Sequence, residues 1–249
     1  MTDTTSPKLA ASKPSLLYRI WDHELSYSFR NSPLTVAAAV ITLVLILSAV
    51  FAGVIAPHNP SDLASIDLMD SELPPAWTED GDARFLLGTD NLGRDIYSTI
   101  LYGMRISLLV GFASVVLSAV IGISAGLIAG YMGGKVDAVI MRIADIQLSF
   151  PTILIALLID GIMRGILDRE QHDAMIIPVL VLSIGISNWV QYARTVRGST
   201  LVERNKEYVQ AARIIGLHPI LIMIKHVLPN VMGPVLVIAT LGLAFAILT

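Results

Sequence analysis

ERNKEYVQAARIIGLHPILIMIKHVLPN, residues 203–230, is the only sizeable charged island between two long apolar runs. Tyr208, Ala211, Ala212 and Ile215 fall at i, i+3, i+4 and i+7, so they share one face of a helix. Lys206, Gln210 and Arg213 follow a similar spacing on a polar face. Gly216 stands where a helix C-terminus wants a residue tolerant of positive φ. Pro219 suits the first turn of a second helix, where its missing N–H would go unpaired anyway. The stretch therefore reads as helix, glycine turn, helix at a membrane surface. Two uses fit it. Ala211 and Ala212 anchor poorly in lipid and let another backbone approach, which suits docking in a groove of a partner protein. An amphipathic helix resting on the bilayer is the other.

Composition places the chain in a membrane. Of 249 residues, 54% are hydrophobic and only 15% charged, against about 25% charged in soluble domains, and the mean hydropathy is +0.70. The net charge of −3 says little, because the signs are segregated. With no cysteine there is no disulfide, thiolate nucleophile or cysteine metal site.

Five spans follow from the apolar runs. Residues 1–33 form a polar, basic N-terminal segment, with a short surface helix expected over Ile20 to Phe29 and disorder over the first dozen residues. Residues 34–56 form a first span (TM1) of about 23 uncharged residues, too long and too late for a signal peptide. Residues 57–105 carry nine acidic residues, Asp62, Asp67, Asp70, Glu72, Glu79, Asp80, Asp82, Asp90 and Asp95, with prolines and glycines that predict loops. Thr89 or Asp90 is the expected cap of a helix running through Ile96, Ile100 and Met104. The second span, 106–131 (TM2), carries Ser114, Ser118, Gly122, Gly126 and Gly130 at every fourth position, a ridge that lets two helices pack closely. The third, 138–159 (TM3), contains Arg142 and Asp145, read as a structural ion pair with a substrate contact as the alternative, and Pro151, able to kink it. Residues 161–173 read as a polar loop.

The fourth span, 174–192 (TM4), bears Ser183, Ser187 and Gln191 at i, i+4 and i+8, with Asn188 beside them. That stripe serves either interhelical hydrogen bonding or the lining of an aqueous path, and its four residues are the candidate pathway-lining set. The fifth span, 231–248 (TM5), is uncharged. Arg194, Arg197, Arg204, Lys206, Arg213 and Lys225 cluster between spans four and five, and the N-terminal segment is also basic. The positive-inside rule then puts the N-terminus and residues 203–230 in the cytoplasm and the acidic loop outside.

The order Glu207-x-x-x-Ala211-Ala212-x-x-x-Gly216, followed by Ile224 and Leu228-Pro229, resembles the EAA loop of ATP-binding-cassette importer permeases. The block Gly88-Thr89-Asp90-Asn91-Leu92-Gly93-Arg94-Asp95, with Gly103-x-Arg105-x-Ser107-Leu108 after it, resembles the C-type permease of peptide and nickel importers. The resemblance runs from Leu16 to Thr249 and implies an all-α, polytopic type I importer permease of the bacterial inner membrane, carrying dipeptides or oligopeptides, alternatively nickel. It implies that Glu207, Tyr208, Ala211, Ala212, Gly216, Ile224, Leu228 and Pro229 couple the chain to an ATPase. It also implies a heterodimer with a second homologous permease, two ATP-binding-cassette ATPase subunits, an extracytoplasmic solute-binding protein and surrounding lipid. The family normally has six spans; five are read here.

Other classes fit worse. An ion-driven secondary transporter needs no coupling helix and usually shows paired repeats and broken spans. No hydrolase motif appears, the five histidines have no metal spacing, and Gly134-Lys135 lacks the glycine and hydroxyl residues of a phosphate loop. No catalytic residue, cofactor, metal or nucleic-acid partner is expected. The orientation has a direct check. Cysteine at Asp80 should react with an impermeant thiol reagent from outside, and cysteine at Lys206 should not; the reverse pattern would overturn the import assignment.

Overall fold

The protein was analysed as a computed structural model, which describes residues 29–60, 62 and 67–248. The surface helix expected over Ile20 to Phe29, Phe29 apart, and the N-terminal disorder lie outside the described residues. Elements are helical: α1 (Pro33–Val50), α2 (Ala52–Ile55), α3 (Ile96–Met132), α4 (Gly134–Leu148), α5 (Thr152–Ile166), α6 (Arg169–Glu203), α7 (Glu207–Ile214), α8 (Pro219–Ile222), a π-turn over Met223–Val227, and α9 (Leu228–Leu248). Four of these stretches are long and apolar enough to cross a membrane, five if the bent pair α4 and α5 counts as one span. The chain divides into two compact units, residues 1–102 and 103–249.

In the first unit α1 keeps apolar side chains exposed on every side, as a segment solvated by lipid does. The acidic loop is held by local polar geometry. Asp90 accepts from the backbone N–H groups of Leu92 and Arg94, both at 2.9 Å, and pairs with the Arg94 guanidinium at 2.7 Å. Asp95, not Thr89 or Asp90, caps α3, because its carboxylate accepts from the Tyr97 and Ser98 N–H groups, each at 3.2 Å. Asp90 closes the preceding turn instead, and Thr89 accepts from the Leu73 N–H at 2.9 Å.

The second unit is built on the contact between α3 and α6. A Cβ on Gly122 would stand 2.4 Å from the Tyr192 Cβ, one on Gly126 2.5 Å from the Ala193 carbonyl oxygen, and one on Gly130 2.7 Å from the Thr200 Cβ. Two backbones thus lie against each other without intervening side chains. The ridge continues upward as Ser118, which donates to the Gly185 carbonyl at 2.9 Å. The four-residue spacing seen in the sequence is the contact seam, and its partner is α6.

Around that pair the spans differ from the simple run-by-run reading. Span two extends over the whole of α3, and span four over α6, from Arg169 to Glu203. The third span is not one helix. It breaks at 149–151 and turns by 89° between α4 and α5, since Pro151 offers no N–H to continue α4 and disfavours helical geometry before it. The loop expected over 161–173 shrinks to residues 167 and 168, because α5 continues to Ile166 and Asp168 forms a capping box with Gln171. The Arg142–Asp145 pair is also corrected. Asp145 accepts from Arg194 of α6 at 2.6 Å, while Arg142 is exposed elsewhere on α4. Asp137 likewise takes both ends of the Arg197 guanidinium, so α4 is fastened to α6 by two ion pairs across the helix interface rather than along one helix.

Gly126→Leu should overpack the seam by at least about 1–3 kcal/mol and lower the Tm of the purified chain in detergent. Gly103→Leu on the same helix meets nothing within 4 Å and should leave the Tm unchanged or raise it. Equal behaviour of the two variants would show that the seam does not hold the unit together.

Candidate coupling site

Residues 203–230 fold as expected in outline: helix, glycine turn, helix. Helix α7 begins at Glu207 and ends at Ile215 as C-cap. Gly216 follows at φ +83°. Its N–H bonds the Arg213 carbonyl at 3.0 Å and the Leu217 N–H bonds the Ala212 carbonyl at 3.1 Å, the paired bonds of a Schellman ending. A Cβ on Gly216 would meet nothing within 4 Å, so only the backbone angle asks for glycine. Pro219 opens α8 at its first turn, and the helix then widens into the π-turn at Met223–Val227. Pro229, one turn on, has no N–H for the Lys225 carbonyl and crowds it, which is the local reason for that widening.

Which face points where is the main finding. Val209 and Ala212 are buried, packed with Leu127, Val196, Ile222, Val227 and Val231 from α3, α6, α8, the π-turn and α9. The close approach that Ala212 permits is therefore made inside this chain and not to a partner. Ala211, Glu207 and Gln210 are exposed, and Ile214 and Ile215 are 86% and 77% exposed. Ile224 is exposed, Leu228 half-buried against the cluster, and Pro229 exposed. The outward surface is thus Glu207, Gln210, Ala211, Ile214 and Ile215, and the small-residue face is split between inside and outside.

Two polar clasps fix α7 to the long helices. At its start the Tyr208 hydroxyl donates to Glu203 at the end of α6 and accepts from the Asn230 amide of α9 at 3.1 Å. Lys206 pairs with the same Glu203 at 2.8 Å, and Asn230 also donates to the His226 carbonyl at 2.7 Å. Burial, and next the neighbouring Glu203 carboxylate, push the Tyr208 hydroxyl up to about 12, so it remains a donor throughout the physiological range. At the other end the Arg213 guanidinium lies 4.7 Å from the centre of the Tyr131 ring and donates to its hydroxyl at 3.2 Å. Arg204 donates to the Gly130 carbonyl at 2.8 Å, closing the end of α3. A short helix of 8 residues has little stability alone; here each end is tied to a different span.

Tyr208 thus has a clear partner set, whereas Glu203, Arg213, Asn230 and Tyr131 were given no coupling role in the sequence. The first three were visible as polar residues of the island. Tyr131 gave no signal beyond an aromatic residue at a span end. The candidate pathway set is also separated. Ser183 and Ser187 are buried and turn back on their own helix, donating to the Val179 and Ser183 carbonyls at 2.7 Å each. Asn188 and Gln191 instead border a cavity between α3, α6 and α9.

Gly216→Val forces a β-branched residue into left-handed backbone, at a cost of at least about 1–2 kcal/mol. It should loosen the turn and speed hydrogen exchange of the α7 amides, with the α3 amides unchanged. Tyr208→Phe should do the same from the other end. Native exchange in both would show that neither the turn nor the clasp fixes α7.

Two family models match the chain. Residues 122–249 match the binding-protein-dependent transport system inner membrane component, and residues 16–75 match the N-terminal transmembrane domain of oligopeptide transport permease C. The di/tripeptide transport system permease protein DppC of Pseudomonas aeruginosa (strain UCBPP-PA14) is 38% identical over 239 residues, covering 96% of this chain and 74% of the relative. The probable D,D-dipeptide transport system permease protein DdpC of Escherichia coli (strain K12) is 35% identical over 98% of this chain and 75% of its own length. The glutathione transport system permease protein GsiD of Pectobacterium atrosepticum is 33% identical over 89% of this chain and 67% of its own. With helices α3 to α9 arranged as above, the chain belongs to the inner-membrane permease components of binding-protein-dependent transport systems, and is a non-catalytic, membrane-embedded subunit.

Proposed function

We propose that this permease subunit imports di- or oligopeptides, driven by ATP hydrolysis in separate ATPase subunits that dock on α7. The relatives' names, which specify dipeptides, tripeptides, oligopeptides and glutathione, support peptides over nickel. The observation that carries the coupling role is the position of α7. It presents Ala211, Ile214 and Ile215 outward, while Tyr208 and Arg213 clasp it to three long helices. Two nearly bare isoleucines on a polar, water-facing element call for a protein groove. A push on that surface reaches α3, α6 and α9 through the clasps without any loop in between.

Orientation follows from charge and connectivity. The Arg213–Tyr131 contact puts residues 131–133 and 204–213 at one end of the bundle. That end carries Lys135, Arg197, Arg204, Lys206 and Arg213, and positive-inside favours the cytoplasm for it. Counting α4 and α5 as one span brings the end of α6 back to that same side, and one crossing each by α3 and α1 favours the cytoplasm for the N-terminal segment as well. A second homologous permease, paired two ATPase subunits and an extracytoplasmic solute-binding protein complete the assembly in this reading.

The docking face is tested by Ala211→Asp and Ile215→Asp. Both side chains are exposed, so the Tm of the permease should hold. A carboxylate buried unpaired in the groove should weaken ATPase copurification and peptide uptake at least about tenfold. Native uptake with either variant would remove α7 as the docking element.

A further inference from the structure

Within the second unit, α3, α6 and α9 enclose a cavity of about 250 Å³ in the apolar part of the bundle. Its polar lining is Ser114, Ser118, Asn188, Gln191 and Tyr192, without one charged side chain. The serines are largely occupied by backbone: Ser118 donates within reach of the Gly185 and Ser114 carbonyls, and Ser114 lies 3.5 Å from the Val181 carbonyl. The other three are not. The Tyr192 hydroxyl is buried with no hydrogen-bond partner, on a side chain only 2% exposed. It sits against Gly242 of α9, where a Cβ would stand 2.8 Å from it, so Gly242 makes the room that the hydroxyl occupies. The side-chain amides of Asn188 and Gln191 also have no partner among the described residues. A phenol left unpaired at membrane depth is costly unless something enters the cavity to pair with it, and the amides of half-buried Asn188 and exposed Gln191 stand beside it.

We infer that this cavity is a subsite for the main chain of the transported peptide, which rests on the peptide reading proposed above. Carboxamides match a peptide bond with both a donor and an acceptor, and the phenol adds one of each. The absence of charge leaves side chains and termini unread. Size is compatible with this: the volume holds about eight waters at roughly 30 Å³ each, ample room for a peptide unit. Asn188 and Gln191 therefore act on the substrate directly, while Ser183 and Ser187 shape the helix that presents them.

The test uses the complete importer in liposomes, with the solute-binding protein saturated by trialanine or by trialanine N-methylated at its central amide. The measured quantity is peptide taken up per ATP hydrolysed. Asn188→Leu and Gln191→Leu keep volume and remove the amide, and copurification with the partner subunits verifies assembly. Native importer should favour trialanine over the methylated analogue by about five- to tenfold, the worth of one well-made hydrogen bond. Each Leu variant should lose that preference, with trialanine falling to the level of the analogue. A preference retained in both variants overturns the subsite while leaving peptide transport standing. A native importer that takes up no trialanine overturns the peptide reading, and the subsite with it.

Discussion

Helices in lipid gain little from burying apolar surface against each other, since the lipid is as apolar as they are; what holds them is close packing. In this protein that packing is concentrated in the seam of Gly122, Gly126 and Gly130 against Tyr192, Ala193, Val196 and Thr200. The seam has backbone on both sides, so it has no slack to absorb a larger residue. Everything functional in the second unit hangs from it. The clasps of α7 end on Glu203 and Tyr131, the outer ends of the same two helices, and the cavity lies further along the same pair.

This geometry separates two tasks that the sequence runs together. One side of α7 is structural: Val209 and Ala212 enter the core, the valine contributing up to about 1.5–3 kcal/mol, and Tyr208 and Arg213 lock the ends. The other side is free for contact. A helix that is stiffly mounted and carries exposed isoleucines at its outer end suits force transmission, because motion at its surface is not lost in a loop. The ion pairs Asp137–Arg197 and Asp145–Arg194 extend the mounted body to α4.

Much of this was legible because it is local. The seam announces itself as small residues at a period of four, and the end of α7 as a glycine three residues before Pro219, which the structure turns into φ +83° and a Schellman ending. The membrane class follows from composition alone. Misreadings share one cause: they needed a neighbour. Asp145 was assigned to Arg142 because the helical spacing allowed it, but Arg194 comes from another helix. Ala212 was placed on the outer face because it neighbours Ala211, yet only the position of α3, α6 and α9 decides which of the two turns inward. Pro151 signalled a kink, and its size, 89°, depends on what α5 packs against. Likewise Ser183 and Asn188 look alike in sequence, and only the cavity distinguishes them.

The central claim is that α7 and the α3–α6 pair move as one body. The chain has no cysteine, so spin labels can be placed singly and cleanly. Labels at Ile220 on α8, which packs against α7 and lies off its docking face, and at Val120 on α3, both well exposed, give their separation by pulsed electron resonance in the assembled importer, without nucleotide and with ATP trapped. The account predicts one unshifted distance distribution in both states. A shift of about one helical turn, 5.4 Å or more, would show that α7 moves independently of the helices it is held to and would contradict it.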